Sequence, residues 1–242
     1  MFKPLLSGAL VALAFSSPAY AGVADGWAGE ASLSGSRTTG NTKTEDLGLA
    51  LNLAKTDGVW RNKFNAAVDY GKTGGSKDKQ RLALGYQIDR DVNERLYVYA
   101  NADYFQDDFG AFKQGHFIGT GLGYKAILPE PVGWNLEAGL GYRSQKSRPV
   151  APALPMTENE LALRARSDFD YKFNDNVSLY NDTELLYSKS DTYVWNETGI
   201  TAQLMGNLAA RASYRVDHHS DVPVGTKKTD TITRIGVVYT IK

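Results

Sequence analysis

Residues 47–70 read Leu47-Gly48-Leu49-Ala50-Leu51-Asn52-Leu53-Ala54-Lys55-Thr56-Asp57-Gly58-Val59-Trp60-Arg61-Asn62-Lys63-Phe64-Asn65-Ala66-Ala67-Val68-Asp69-Tyr70. Leu47, Leu49, Leu51 and Leu53 alternate with Gly48, Ala50 and Asn52. After Asp57-Gly58, the residues Trp60, Phe64, Ala66, Val68 and Tyr70 alternate with Arg61, Lys63, Asn65 and Asp69. Successive strand side chains point to opposite faces, so each half reads as a strand with one apolar and one polar face. Asp-Gly is a dipeptide that suits a type I′ hairpin. A two-residue turn on Asp57-Gly58 sets Ala54 opposite Arg61 and Asn52 opposite Lys63, both on the polar face.

The same alternation recurs in both directions. It is clear in the stretches 27–34, 82–88, 96–104, 118–125, 134–143, 161–171, 208–216 and 231–241, and weaker in 177–188 and 194–204. That makes about 12 runs. Short connections at Thr56–Gly58, Asp89–Glu94, Leu128–Gly133, Asn174–Asn176 and Met205–Asn207 alternate with polar stretches that are generally longer. The latter are Arg37–Lys43, Gly71–Lys77, Gln106–Phe112, Gln145–Thr157, Ser188–Tyr193 and His218–Lys227. Short turns at one end and longer loops at the other describe an up-and-down barrel that crosses the outer membrane. The fold expected is all-β: a closed antiparallel up-and-down transmembrane β-barrel of about 12 strands.

Aromatic residues gather at the two ends of the runs. Tyr70, Tyr104, Tyr142, Tyr187 and Tyr214 close runs that lead into the long loops, while Trp27, Trp60, Tyr124, Trp134, Tyr171 and Tyr239 mark the opposite rim. Two aromatic girdles are the expected sign of two membrane interfaces. From Trp60 to Tyr70 is a rise of about 3.4 Å per residue, or roughly 25 Å along the normal at a tilt of about 40°. A soluble β-sandwich or lipocalin-like barrel is the alternative. It leaves unexplained why charges share the face opposite the apolar residues in so many runs.

Composition narrows the function. The 242 residues hold 27 Lys+Arg, 27 Asp+Glu and no Cys. A balanced charge does not suit a nucleic-acid binder held by bulk electrostatics, and the absence of Cys excludes disulfides, Cys-ligated zinc and thiol catalysis. Residues 1–21 carry Lys3, an apolar run over 5–15 and Ala19-Tyr20-Ala21, the pattern of a secretory signal peptide. Residues 22–242 are then the barrel, exported through the periplasm, with membrane lipid, lipopolysaccharide and the outer-membrane assembly machinery as partners. The sequence leaves the oligomeric state open.

With the apolar face in lipid, the polar face lines the lumen. Its charged members are Arg61, Lys63, Asp69, Arg81, Asp103, Glu137, Arg143, Arg164, Arg166, Asp168, Asp170, Asp182, Glu184, Glu197, Arg211, Arg215 and Arg234. A turn through Asn174–Asn176 sets Arg166 opposite Glu184 and Asp168 opposite Asp182, with Arg166 diagonal to Asp182 and able to relieve that like-charge pair. A turn about Gly206 pairs Glu197 with Arg215. Inward glycines at 119, 121, 123, 139 and 141 make room on one wall. An eight-stranded barrel fills with its own side chains and one of 16 or more leaves a channel, so 12 strands allow either a filled lumen or a narrow pore.

No enzyme, cofactor or metal site is expected. The three histidines are His116, His218 and His219. His218 and His219 lie near Asp217, Ser220 and Asp221, but adjacent residues of an extended chain point to opposite sides and do not share a site. A loop-sited hydrolase and a surface-loop binding protein remain alternatives. Asn196-Glu197-Thr198 matches a glycosylation sequon inside an expected strand and is discounted. The Pro-rich stretch Arg148–Pro155 lies in the longest outer loop.

The opening Gly26-Trp27-Ala28-Gly29-Glu30-Ala31-Ser32-Leu33-Ser34-Gly35-Ser36-Arg37-Thr38-Thr39-Gly40-Asn41-Thr42 resembles that of the YdiY-like family of salt-induced outer-membrane proteins, whose function is unknown. The resemblance lies in a glycine-rich first strand running into Thr-Gly-Asn-Thr, and extends over the Tyr-ended runs. It implies an outer-membrane β-barrel and brings no catalytic motif. The chain departs from the usual aromatic end of such barrels by closing on Tyr239-Thr240-Ile241-Lys242.

Overall fold

A computed structural model describes residues 26–38, 44–128, 130–148 and 156–242. Residues 1–21, expected as a signal peptide, the Thr-Gly-Asn-Thr stretch and the Pro-rich stretch beyond Arg148 lie outside the described residues. The strands are β1 (Trp27–Thr38), β2 (Thr44–Asp57), β3 (Trp60–Thr73), β4 (Ser76–Asp91), β5 (Leu96–Asp107) and β6 (Phe112–Ile127). They continue as β7 (Val132–Ser147), β8 (Thr157–Asn174), β9 (Val177–Ser188), β10 (Thr192–Met205), β11 (Leu208–His219) and β12 (Thr229–Ile241). Each strand pairs antiparallel with its sequence neighbours, and β12 pairs back onto β1 to close the barrel. Closure leaves no sheet edge with unpaired backbone groups.

Turn chemistry fixes the register. The β2–β3 turn is centred one residue later than the Asp-Gly reading: Gly58 and Val59 are its central residues, and Asp57 faces Trp60. Gly58 has φ +58°, and among the described residues no non-glycine residue has positive φ. Type I′ needs positive φ at both central positions, whereas type II′ needs it only at the first, where Gly58 stands. Moving the turn by one residue moves the pairing by two, so Ala54 faces Lys63 and Asn52 faces Asn65. The faces are unchanged because the strand period is also two.

The stretch 71–77, expected as a loop, is a tight hairpin. Gly74 and Gly75 have φ +60° and +86°, which meets the type I′ requirement, and the ladder runs on to Thr73 and Ser76. Asparagine side chains close two of the short turns. Asn93 Oδ1 accepts from the Arg95 and Leu96 backbone N–H groups, and Asn174 Oδ1 accepts from those of Asn176 and Val177.

The barrel is inside out relative to a soluble fold. Its outer surface exposes Leu47, Leu49, Val68, Leu84, Leu122, Leu136, Ile235 and others, with Ile118 62% and Leu140 59% exposed. Soluble monomers rarely leave a contiguous apolar patch above a few hundred Å². Here such residues encircle the molecule. The expected girdle residues Trp27, Trp60, Tyr70, Tyr104, Tyr124, Trp134, Tyr142, Tyr171, Tyr187 and Tyr239 occupy outward positions of their strands, above and below this belt, whereas Tyr214, also outward, stands in the middle of β11 within the belt because that strand enters the long loop only after His219.

Candidate functional site: the charged lumen

Inward residues divide the lumen into two walls. Toward the short turns the wall on β3–β8 is filled. Tyr97 and Tyr99 are 1% and 2% exposed, and Phe117 is buried with them. The row of glycines faces these rings. A Cβ at Gly123 would lie 2.0 Å from the Tyr97 ring, one at Gly139 2.5 Å from the Tyr99 hydroxyl, and one at Gly141 2.5 Å from the Phe117 ring. The space expected beside the inward glycines is therefore occupied by aromatic side chains, because a bare backbone lets a ring lie flat against the sheet.

Beside these rings runs a buried polar network. Asp89 is fully buried; Arg61 Nε donates to its Oδ2 at 2.8 Å, and Lys63 Nζ lies at 3.1 Å. Gln87 Nε2 donates to both Asp89 and Glu137, each at 2.8 Å. Glu137 also accepts from the Tyr97 hydroxyl at 2.8 Å and from Arg164 at 2.7 Å. Arg164 reaches on to Glu184 at 2.8 Å and stacks over Tyr99. Each buried charge thus has an opposite charge within reach, which offsets the desolvation it suffers.

The rest of the lumen stays open: β8–β12 and β1–β3, together with the long-loop half of β4–β7, where Arg81, Asp103, Phe117 and Arg143 line the space. A cavity of about 740 Å³ runs along it. Its lining extends from Asp78, Phe109 and Asp230 near the long-loop rim to Glu30, Ser178 and Thr201 near the short-turn rim. Of the lumen residues expected from sequence, Asp69, Arg81, Asp103, Arg143, Arg166, Asp168, Asp170, Asp182, Glu184, Glu197, Arg211, Arg215 and Arg234 line this cavity. Arg61, Lys63, Glu137 and Arg164 belong to the filled wall instead.

Most cavity arginines are paired. Arg211 forks onto Glu30 at 2.5 and 2.7 Å, Arg234 onto Asp69 at 3.1 Å, and Arg215 onto Asp217 at 2.8 and 2.9 Å. The expected Glu197–Arg215 register is present, but their closest approach is 3.8 Å; Asp217 holds Arg215 more tightly. Arg166 departs further from expectation. It lies opposite Glu184 in register, yet the ion pair to Glu184 is made by Arg164, and the Arg166 guanidinium sits 5.8 Å from the Trp195 ring. A diagonal neighbour is within reach of a long side chain, so register alone does not choose the partner.

The acids are in excess. Among the described residues, twelve Asp or Glu and seven Lys or Arg line the cavity. Among the described residues Asp103, Asp168, Asp170 and Asp182 face it without a salt-bridge partner, and Asp168 is registered directly against Asp182. No cluster of three or more His, Asp or Glu side chains suited to a metal ion occurs among the described residues.

At the long-loop rim, outside the span, the β9–β10 loop tucks Asp191 under the mouth. Its carboxylate is 1% exposed and receives His219 Nδ1 at 2.6 Å, Arg143 at 3.0 Å and the Asp221 backbone N–H at 3.2 Å. Burial alone would push this carboxyl up; the His219, Asp221 and Arg143 contacts outweigh it and hold it down at about 2. His219 is stacked on Tyr193 and tilted against Phe112, so its ring closes the rim. His218 turns the other way, to Thr229.

Sequence reading did not single out Trp195, Tyr193, Asp89 or Asp191. Trp195 and Tyr193 share a parity with Glu197, so the period-two pattern carried that signal. Asp191 sits in a connection, where no period operates.

Comparison with known proteins adds the following. The NanC porin superposes with a TM-score of 0.55 at 10% identity, covering 87% of this chain and 98% of that one. An outer-membrane channel from Pseudomonas putida F1 gives 0.51 at 9% identity, covering 89% and 95%. At such identity the likeness concerns the fold alone: this closed antiparallel barrel of 12 strands resembles outer-membrane β-barrels. No curated protein sequence matches. Residues 31–241 match the family described as "Protein of unknown function, DUF481", and the chain belongs to that family.

Proposed function

We propose that the protein is an outer-membrane barrel that gives small cations a narrow passive route across the membrane. The observation that carries this reading is the open, acid-rich wall. A cavity of about 740 Å³ spread over an apolar band roughly 25 Å tall has a mean cross-section of roughly 30 Å², enough for ions and water in near single file. Fixed carboxylates in a low-dielectric lumen concentrate cations and repel anions. The likeness to a porin and to an outer-membrane channel supports passage of solute. Residues 1–21 then direct export, and lipid and lipopolysaccharide surround the girdles. The resemblance of the N-terminal segment to salt-induced outer-membrane proteins fits a role under changing osmotic conditions. Nothing in this function calls for catalysis.

The filled wall favours a second reading, a closed structural barrel, since the paired charges from Asp89 to Glu184 leave no path there. Salt flux separates the two. Protein folded into lipid vesicles loaded with a potassium-sensitive dye is expected to release K⁺ faster than empty vesicles do. Flux equal to that of empty vesicles supports the structural reading and rejects the pore.

A further inference from the structure

The outward face of β9 and β10 interrupts the apolar belt. Asn181 and Thr183 on β9 alternate with the cavity-lining Tyr180, Asp182 and Glu184, and Asn196 and Thr198 on β10 alternate with Trp195 and Glu197. This parity puts all four on the outer surface. Asn181 is registered against Thr198, and Thr183 against Asn196. Each lies at least four residues from either end of its strand, so the cluster sits at mid-height. Elsewhere the belt carries exposed Leu49, Val68, Leu84, Ile118 and Leu140.

The four side chains form a closed ring of hydrogen bonds. Asn181 Nδ2 donates to Thr198 Oγ1 at 2.6 Å, and Thr198 Oγ1 donates to Asn196 Oδ1 at 3.3 Å. Asn196 Nδ2 donates to Thr183 Oγ1 at 2.7 Å, and Thr183 Oγ1 donates to Asn181 Oδ1 at 3.3 Å. An amide has two donor hydrogens and two acceptor lone pairs. The ring uses one of each on both asparagines, leaving each with a spare N–H and a spare lone pair. At mid-height in a bilayer neither water nor an acyl chain satisfies them, and unmet polar groups in hydrocarbon are costly. A partner that offers one donor and one acceptor at the same spacing satisfies them, and another amide edge does so. A second copy of this surface supplies it, and a two-fold axis along the membrane normal keeps the facing groups at equal depth. Phe169 beside Asn181 and Tyr214 beside Thr198 frame the patch with large rings of the kind that anchor interfaces. The sequon residues Asn196 and Thr198 thereby gain a role in place of glycosylation.

We propose that the outer face of β9–β10 is the contact between two copies of this chain in the membrane, joined through Asn181 and Asn196. This rests on the outer-membrane reading above.

The chain has no Cys, so single cysteines report the contact cleanly. Asn196→Cys and, on the far side of the barrel, Leu84→Cys are each expressed in the full chain and oxidised in intact outer membranes. A disulfide-linked band of twice the monomer mass from Asn196→Cys and none from Leu84→Cys is expected. A second variant, Asn181→Leu with Asn196→Leu, tests the chemistry without depending on a disulfide. It is expected to lose the dimer band that amine cross-linking gives for the wild type, while the barrel keeps its folded, heat-modifiable mobility in SDS. Membrane-inserted protein that cross-links nowhere, equally from both positions, or to a band of another mass overturns the dimer; so does a folded leucine variant that stays dimeric. Recovery of the wild type in solution without detergent would instead overturn the membrane reading itself.

Discussion

The two walls of the lumen are built from the same alternating strands but end in different states. On β3–β8, glycines admit the rings of Tyr97, Tyr99 and Phe117, and the space left is closed by ion pairs from Asp89 to Glu184. On β8–β12 and β1–β3, and on β4–β7 toward the long loops, inward Arg, Asp and Glu hold one another against the sheet and leave a cavity. Barrel size alone allows a filled or an open lumen at 12 strands. This barrel is filled along β3–β8 toward the short turns and open elsewhere, and the difference lies in where glycine rows let aromatics lie flat.

The filled wall is where substitutions are expected to cost most. Arg164 is 2% exposed at its side chain and is the Arg partner of both Glu137 and Glu184. Arg164→Met strands two carboxylates and is expected to destabilise the barrel by about 3–5 kcal/mol, read as a lower urea midpoint for unfolding from lipid vesicles. An unchanged midpoint would show that the network is not structural. Gly123→Val comes next. Its Cβ would meet the Tyr97 ring at 2.0 Å, and a loss of about 1–3 kcal/mol is expected. Combining it with Tyr97→Ala is expected to recover part of that loss, which a double-mutant cycle measures.

The open wall is expected to respond in selectivity and not in stability. Asp168→Asn with Asp182→Asn removes two cavity carboxylates that lack a salt-bridge partner. The urea midpoint should move by less than ~0.5 kcal/mol in free-energy terms. The reversal potential in a salt gradient should shift towards zero, whereas Lys63→Gln on the filled wall should leave it in place. The smallest effect concerns the rim. The Asp191 carboxyl is held at about 2 in the folded protein, below the ordinary aspartate value of about 3.9. A lowered folded-state value adds stability above the ordinary value and loses it as pH falls towards 2. Proteolysis at the β9–β10 loop is therefore expected to rise between about pH 4 and pH 2. Asp191→Asn should be cut more readily at neutral pH and show little further rise on acidification.

The architecture was legible because strand parity has a period of two, and Leu47 to Tyr70 displays it without interruption. Parity survived even where the Asp57-Gly58 turn was misjudged, since the shift to Gly58-Val59 moved the pairing by an even number. The Gly74-Gly75 hairpin was hidden because a polar stretch between two runs reads as a loop unless its turn type is asked for. The lumen was legible as a set of residues and not as a set of contacts. Which acid Arg166 meets depends on side-chain reach and competition from Arg164, and whether Gly123 leaves space depends on Tyr97 across the strand pair. Neither is a property of one strand's sequence. The outward Asn181–Thr198 ring was invisible because β9 and β10 are the weakest runs, and they are weak because polar residues occupy both faces.

The most direct test is the reversal potential of the purified protein in planar lipid bilayers under a KCl gradient. Small conductance events whose reversal potential lies on the cation-selective side are expected from the acid-rich wall. Absence of events above the bare bilayer, or a reversal potential on the anion side, would contradict a cation route through this lumen.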